Sequence, residues 1–246
     1  MASKAVELEP SLAKAHAVLA LGKLHGQWNW HEAEAGFRRA VKLDPGNADV
    51  RHYFAHFLLW ADRGRESAEE CRRALELDPY DPGLMACVGW HDLWSGEYDH
   101  AIESARRALS FDPKGEFAAL IMGWAYEQKG MFPEAISALQ KSFPGTVRTA
   151  SVAHALARSG KREAALDLLA QLTQASQKSY VSAYDVAAVH MGLGDRARAL
   201  EWLQKAYEEH SGFMVYVHLD PRFKPLRSEA RFRDLSDRVG FRNQRA

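Results

Sequence analysis

The chain has 246 residues, a length that fits one large domain, two small ones or an array of repeats. Lys plus Arg and Asp plus Glu balance at 32 each, so no global field favours nucleic acid or an acidic membrane surface. Two cysteines, Cys71 and Cys87, make no disulfide framework and have no metal-ligand spacing in sequence; with no long apolar run and no signal-peptide core, the expectation is a soluble cytoplasmic protein.

From the N-terminus, "KAVELEP" (Lys4–Pro10) is a faint copy of a phrase that returns as "RRAVKLDPGNA" (Arg38–Ala48), "RRALELDPYDP" (Arg72–Pro82) and "RRALSFDPKGE" (Arg106–Glu116). Asp44, Asp78 and Asp112 follow one another at 34 residues, a period that means one supersecondary unit stacked on itself. Within the unit, three places are reserved for small residues. The first holds Ala20, Ala55, Gly89, Gly123, Ala153 and Ala187, the second Ala33, Ser67, Ala101, Ala135, Ala165 and Ala199, and the third Ala40, Ala74, Ala108, Ser142, Leu172 and Ala206. Small side chains at these spacings let two helices approach closely, and larger apolar residues such as Phe37, Leu75 and Leu139 complete the stripe. Pro45, Pro79 and Pro113 end the second helix of their units, Asn47 and Asp81 cap the next one, and Pro82 takes its first position. Mid-unit turns such as "SGEYDHA" (Ser95–Ala101) and "SGKREAA" (Ser159–Ala165) put a glycine where the first helix stops.

The small-residue places, the turn glycine, the aromatic two residues after it (Tyr98, Phe132) and the "ALELDP" ending resemble the tetratricopeptide repeat over six units, residues 11 to about 210. That resemblance implies an all-α fold, a right-handed superhelical solenoid of helix pairs. Residues 1–10 match the second half of a unit whose first half is missing, which predicts a longer array upstream and an apolar N-terminal edge suited to a homodimer. Two departures stand out. "GQWNWHEA" (Gly26–Ala33) carries one extra residue and two tryptophans, read either as a plug of the inter-helix turn or as an exposed contact for a neighbour. "SFPG" (Ser142–Gly145) cuts the second helix of unit four about three residues early and predicts a change of stacking angle near Pro144–Thr149.

Residues 211–246 read as a cap ending in an amphipathic helix from about Ser228. "LDPRFKPLRSEARF" and "LGDRARALEWLQKAYEE" are similar to the tail that closes tetratricopeptide arrays in bacterial signalling proteins, namely winged-helix regulators, nucleotide cyclases and Ser/Thr kinases. That likeness implies a regulatory parent protein and transfers no catalytic residue. Eight Arg and Lys of residues 220–246, Arg242 and Arg245 among them, stand against four acids, a bias too weak for a nucleic-acid patch.

In stacked helix pairs the first helices line the concave side. Their free face, spaced i, i+4, i+8, carries His52, His56 and Trp60; Trp90 and Trp94; Trp124 and Gln128; His154 and Arg158; and Tyr184. Large aromatics with polar tips are what binding hot spots favour. The expectation is therefore a protein-interaction module that binds a peptide or partner domain in this groove, with no cofactor. The Lys/Asn/Arg carboxylate clamp of some tetratricopeptide domains is not evident at the matching places. The alternative is a regulatory segment that senses a small ligand or metal in the same groove. His52 and His56 could chelate a metal, with His25 or Asp62 as a third ligand, but lining histidines are the favoured reading. No phosphate-cradling loop or nucleophile elbow marks an enzyme.

Overall fold

The computed structural model describes residues 2–240; Arg242 and Arg245 of the basic C-terminal stretch lie outside the described residues. Within that span the chain is all helical, with no strand among the described residues. After α1 (Ala2–Leu8), twelve helices form six antiparallel pairs. The pairs are α2 (Ala13–Gln27) with α3 (Trp30–Leu43), α4 (Ala48–Trp60) with α5 (Gly64–Leu77), α6 (Pro82–Ser95) with α7 (Tyr98–Phe111), α8 (Glu116–Gln128) with α9 (Phe132–Leu139), α10 (Thr146–Arg158) with α11 (Arg162–Ala175), and α12 (Ala183–Gly192) with α13 (Arg196–Glu208). Two short 3₁₀ helices, Gly212–Tyr216 and Pro221–Leu226, lead to α14 (Ala230–Val239).

Every one of the eighteen small places is buried, Leu172 included. The reason is visible at Gly123, where an added Cβ would lie 2.6 Å from Leu139 Cγ and 3.2 Å from the Ala135 carbonyl. The backbones of α8 and α9 meet there with no room for a side chain. The punctuation works as the residue types require. Asn47 Oδ1 accepts from the Val50 amide at 3.1 Å and Asp81 Oδ1 from the Leu84 amide at 2.8 Å. Gly96, at φ 85°, ends α6 in the left-handed conformation. In the first two units, which lack that glycine, Trp28 (φ 47°) and Asp62 (φ 59°) adopt it instead.

Unit four differs from expectation in degree. Its second helix, α9, has 8 residues against 14 in α3, α5 and α7. The Arg148 guanidinium donates to the Ser142 carbonyl and Ser142 Oγ to the Leu139 carbonyl at 2.7 Å, which holds the tight turn through Pro144 and Gly145. Gly145 sits at φ 94°, a backbone conformation that starts α10 abruptly.

The solenoid also meets itself. Trp30 is buried and its Nε1 donates to the Val239 carbonyl at 2.7 Å, 209 residues along the chain. The Trp28 ring lies 4.7 Å from Tyr207 and 4.3 Å from His210, centre to centre. Both tryptophans of "GQWNWHEA" thus pack against the C-terminal part of the same chain, Trp30 buried and Trp28 half-buried.

Candidate functional site

The free face of the first helices does point inward, and the chain's own tail covers much of it. After α13 the first 3₁₀ helix carries "GFMVY" into the interior, where Met214, Val215 and Val217 are completely buried. Tyr216 is the centre of the contact. Its ring stacks on Trp94 at 4.6 Å and stands edge-on to Trp60 and Trp90 at 5.6 and 5.5 Å, while its hydroxyl accepts from Trp90 Nε1 at 3.0 Å. Such edge and offset pairings suit the ring quadrupoles. Burial raises the Tyr216 hydroxyl above its ordinary pKa, so it stays protonated. Phe213 stacks on Tyr184 and stands edge-on to Trp124.

A second anchor is ionic. Asp220 and Arg222 are both buried; Arg222 Nη2 donates to Asp220 Oδ2 at 2.6 Å and the Tyr184 hydroxyl donates to the same oxygen at 2.8 Å. The guanidinium lies over the Trp124 ring at 4.4 Å. Burial alone would raise Asp220; the Arg222 charge and its hydrogen bonds outweigh that and hold the carboxyl below its ordinary value. Asp185, on α12 nearby, has no such partner at Oδ2, and burial pushes its carboxyl up to about 6.

The structure therefore sorts the expected groove residues. Trp60, Trp90 and Trp94 converge on Tyr216, and Trp124 and Tyr184 on Phe213 and Arg222; all five are at most 8% exposed. His154 is buried against the Glu127 carboxylate, away from solvent. Gln128 is half-buried at the end of α8 and Arg158 is exposed at the end of α10, so neither joins the aromatic cluster. His52 and His56 are half-buried, their Nε2 atoms 2.8 Å apart. Much of the face expected to meet a partner is thus covered by the chain's own residues 212–226, and its five aromatic members are buried.

What remains open is smaller. A pocket of about 310 Å³ is walled by Trp60, Trp90, Phe117, Leu120, Phe213 and Tyr216, with His56 at its edge. A larger hollow, about 700 Å³, lies between the turns at Asp62 and Gly96 and the C-terminal cap. It carries both signs, Lys224, Arg227 and Arg233 with Asp62 and Asp237. Near the N-terminus Leu8 is 77% exposed and Leu12 and Val18 are 42% exposed.

Behind His56 lies a group that sequence reading missed. The two cysteines, in different units, meet with their sulfurs 3.4 Å apart, and Cys87 Sγ lies 3.8 Å from His56 Nε2. His91 completes the cluster. Cys87, rather than His25 or Asp62, is the third group that approaches the His52–His56 pair.

No family model and no curated protein matches the sequence. Solved structures do. A tetratricopeptide repeat protein from Parabacteroides merdae superposes with a TM-score of 0.66 at 14% identity, covering 97% of this chain and 89% of that one. The type IV pilus biogenesis factor PilW gives 0.61 at 18% identity over 76% of this chain and 87% of that one. The hetero-tetramer Cut9-Hcn1 of the APC/C gives 0.63 at 17% identity over 97% of this chain and 44% of that one. These likenesses show the fold, a tetratricopeptide-type helical-repeat solenoid, which the buried small places and capping prolines had indicated. Among the described residues no helix is long and apolar enough to cross a membrane.

Proposed function

We propose that this tetratricopeptide-type solenoid is a protein-interaction module whose inner face is built to hold a short aromatic segment. Its own tail supplies one such segment, and the pocket left beside Tyr216 takes a bulky apolar side chain of a partner peptide. The observation that supports this most is the pocket itself, about 310 Å³ with aromatic and aliphatic walls, a shape and chemistry in which hot-spot side chains gain most. Stacked helices hold these walls in place, so a partner has little ordering of the protein to offset. No catalytic step enters this reading. Sensing of a small ligand along the whole groove is less favoured, because residues 212–226 already fill most of it.

A random peptide library selected against the folded chain tests the proposal. Enriched peptides are expected to share a bulky apolar residue and to lose affinity about tenfold in Phe117→Ala, a half-buried wall residue packed beside Trp90, with unfolding measured alongside to show that the variant stays folded. Peptides that bind equally well to Phe117→Ala contradict it. The exposed Leu8, Leu12 and Val18 support a second mode of assembly, a homodimer through the N-terminal edge. Light scattering over a concentration series, with Val18→Glu expected to keep the chain monomeric, checks that.

A further inference from the structure

The buried cluster of α4, α5 and α6 lies behind the peptide pocket and touches it only through His56, and helix packing alone does not ask for its residue types. At the place of Cys71 other units carry Phe37, Leu139 and Leu203, and at the place of His91 they carry Phe57, Ala125 and Val189. Here the donor atoms of Cys71, Cys87 and His91 lie within 4.8 Å of one another, and all three residues are buried. Both cysteines are free thiols.

The polar groups around them are arranged for a positive ion. Ser67 Oγ donates to the Ala55 carbonyl at 3.0 Å, so it can only accept at 2.6 Å from His91 Nδ1. That fixes the proton on Nδ1 and leaves Nε2 with a lone pair, buried and without a hydrogen-bond partner. Metal-bound histidines are commonly held this way, with the second ring nitrogen donating to a fixed acceptor. An unmatched buried acceptor is costly in a core, and His91 is only 4% exposed.

We propose that Cys71, Cys87, His91 and His56 form a site for a thiophilic metal ion, Zn²⁺, which clips α4, α5 and α6 together. Tetrahedral zinc with bonds of about 2.3 Å to sulfur and 2.0 Å to nitrogen requires sulfurs about 3.8 Å apart and sulfur–nitrogen separations of about 3.5 Å. The sulfurs stand 3.4 Å apart and the donor atoms of Cys71, Cys87 and His91 already lie within 4.8 Å of one another. His56 Nε2 is 3.8 Å from Cys87 Sγ but groups with His52 and Cys87 rather than with Cys71 and His91, so its ring has to swing inward to become the fourth ligand. His56 then exchanges its contact with His52 for the ion, and His52, half-buried, turns to solvent. On binding, each thiol gives up its proton to solvent. One dication with two thiolates and two neutral imidazoles carries no net charge, which is what a dry core tolerates. The site belongs to the scaffold, and it stands or falls apart from the peptide-binding reading.

Titration of the reduced full chain with Co²⁺ tests this. One equivalent is expected to bring the thiolate-to-cobalt charge-transfer band and the intense visible bands of a tetrahedral site, and Zn²⁺ should bleach both. Cys71→Ser and Cys87→Ser remove the charge-transfer intensity stepwise, whereas His31→Ala, on the outer side of α3, leaves it unchanged. If a serine variant fails to fold, X-ray absorption of the zinc-loaded wild-type chain decides. Two sulfur scatterers at about 2.3 Å support the site, and a shell of nitrogen and oxygen alone overturns it. Absence of stoichiometric binding, or a Cys71–Cys87 disulfide in protein purified without oxidant, also overturns it.

Discussion

At the scale of single residues, Asp185 gives the sharpest handle on the interior. Its carboxyl is raised by burial first; Arg222 opposes that, while Asp220 and Glu209 add to it. In the unfolded chain this group releases its proton near pH 4, whereas the folded chain keeps it to about 6. The folded state therefore binds more protons between those values. Stability from this residue is greatest below pH 4, falls as pH rises to 6 and is level above that. Asp185→Asn removes the slope and is expected to stabilise the chain at pH 7.5 by on the order of 2 kcal/mol, read from urea unfolding at pH 5 and 7.5. Equal stability of the two proteins at pH 7.5 contradicts it. Asp220 shifts the other way because Arg222 faces it, so its contribution is present above its unfolded value and lost in acid.

At the scale of helices, the close crossings set what the repeat tolerates. Gly123→Ala drives a Cβ into Leu139 Cγ at 2.6 Å, and the resulting overpacking of α8 on α9 is expected to cost about 1–3 kcal/mol. Thermal unfolding checks it; an unchanged Tm contradicts the crossing. This level of the fold was legible in the sequence because its determinants are local. Eighteen small places, Asn47 and Asp81 as caps and the helix-ending prolines all act within a few residues of where they stand. The early end of α9 was legible in kind but not in extent. Its last residue, Leu139, sits six places before the position at which Leu43, Leu77 and Phe111 end their helices, because the turn is held by Arg148, a contact outside the repeat pattern. The meeting of Cys71 with Cys87 was not legible, since the two lie 16 residues apart on different helices and only the crossing of α5 over α6 joins them.

At the scale of the whole molecule, the tail converts an open array into a closed one. Periodicity placed Trp60, Trp90, Trp94 and Trp124 on the inner face, but it carries no information about contacts such as Trp90 with Tyr216, 126 residues away. The one signal was composition: "GFMVY" is an apolar run within the stretch read as a cap. Tyr216→Ala removes the ring that Trp60, Trp90 and Trp94 share and is expected to destabilise by about 3–5 kcal/mol, as large aromatic truncations in cores do. Tryptophan emission should shift to the red as water enters. An unshifted spectrum with unchanged stability contradicts a packed tail.

Hydrogen–deuterium exchange of the unmodified chain tests that packing most directly, because it needs no substitution. Amides of residues 212–226 within the buried 3₁₀ helices are expected to exchange as slowly as those of α6, reflecting one cooperative unit. Exchange of this segment at the rate of an unstructured peptide, while α6 stays protected, would mean that the inner face stands open and that the closed solenoid described here is wrong.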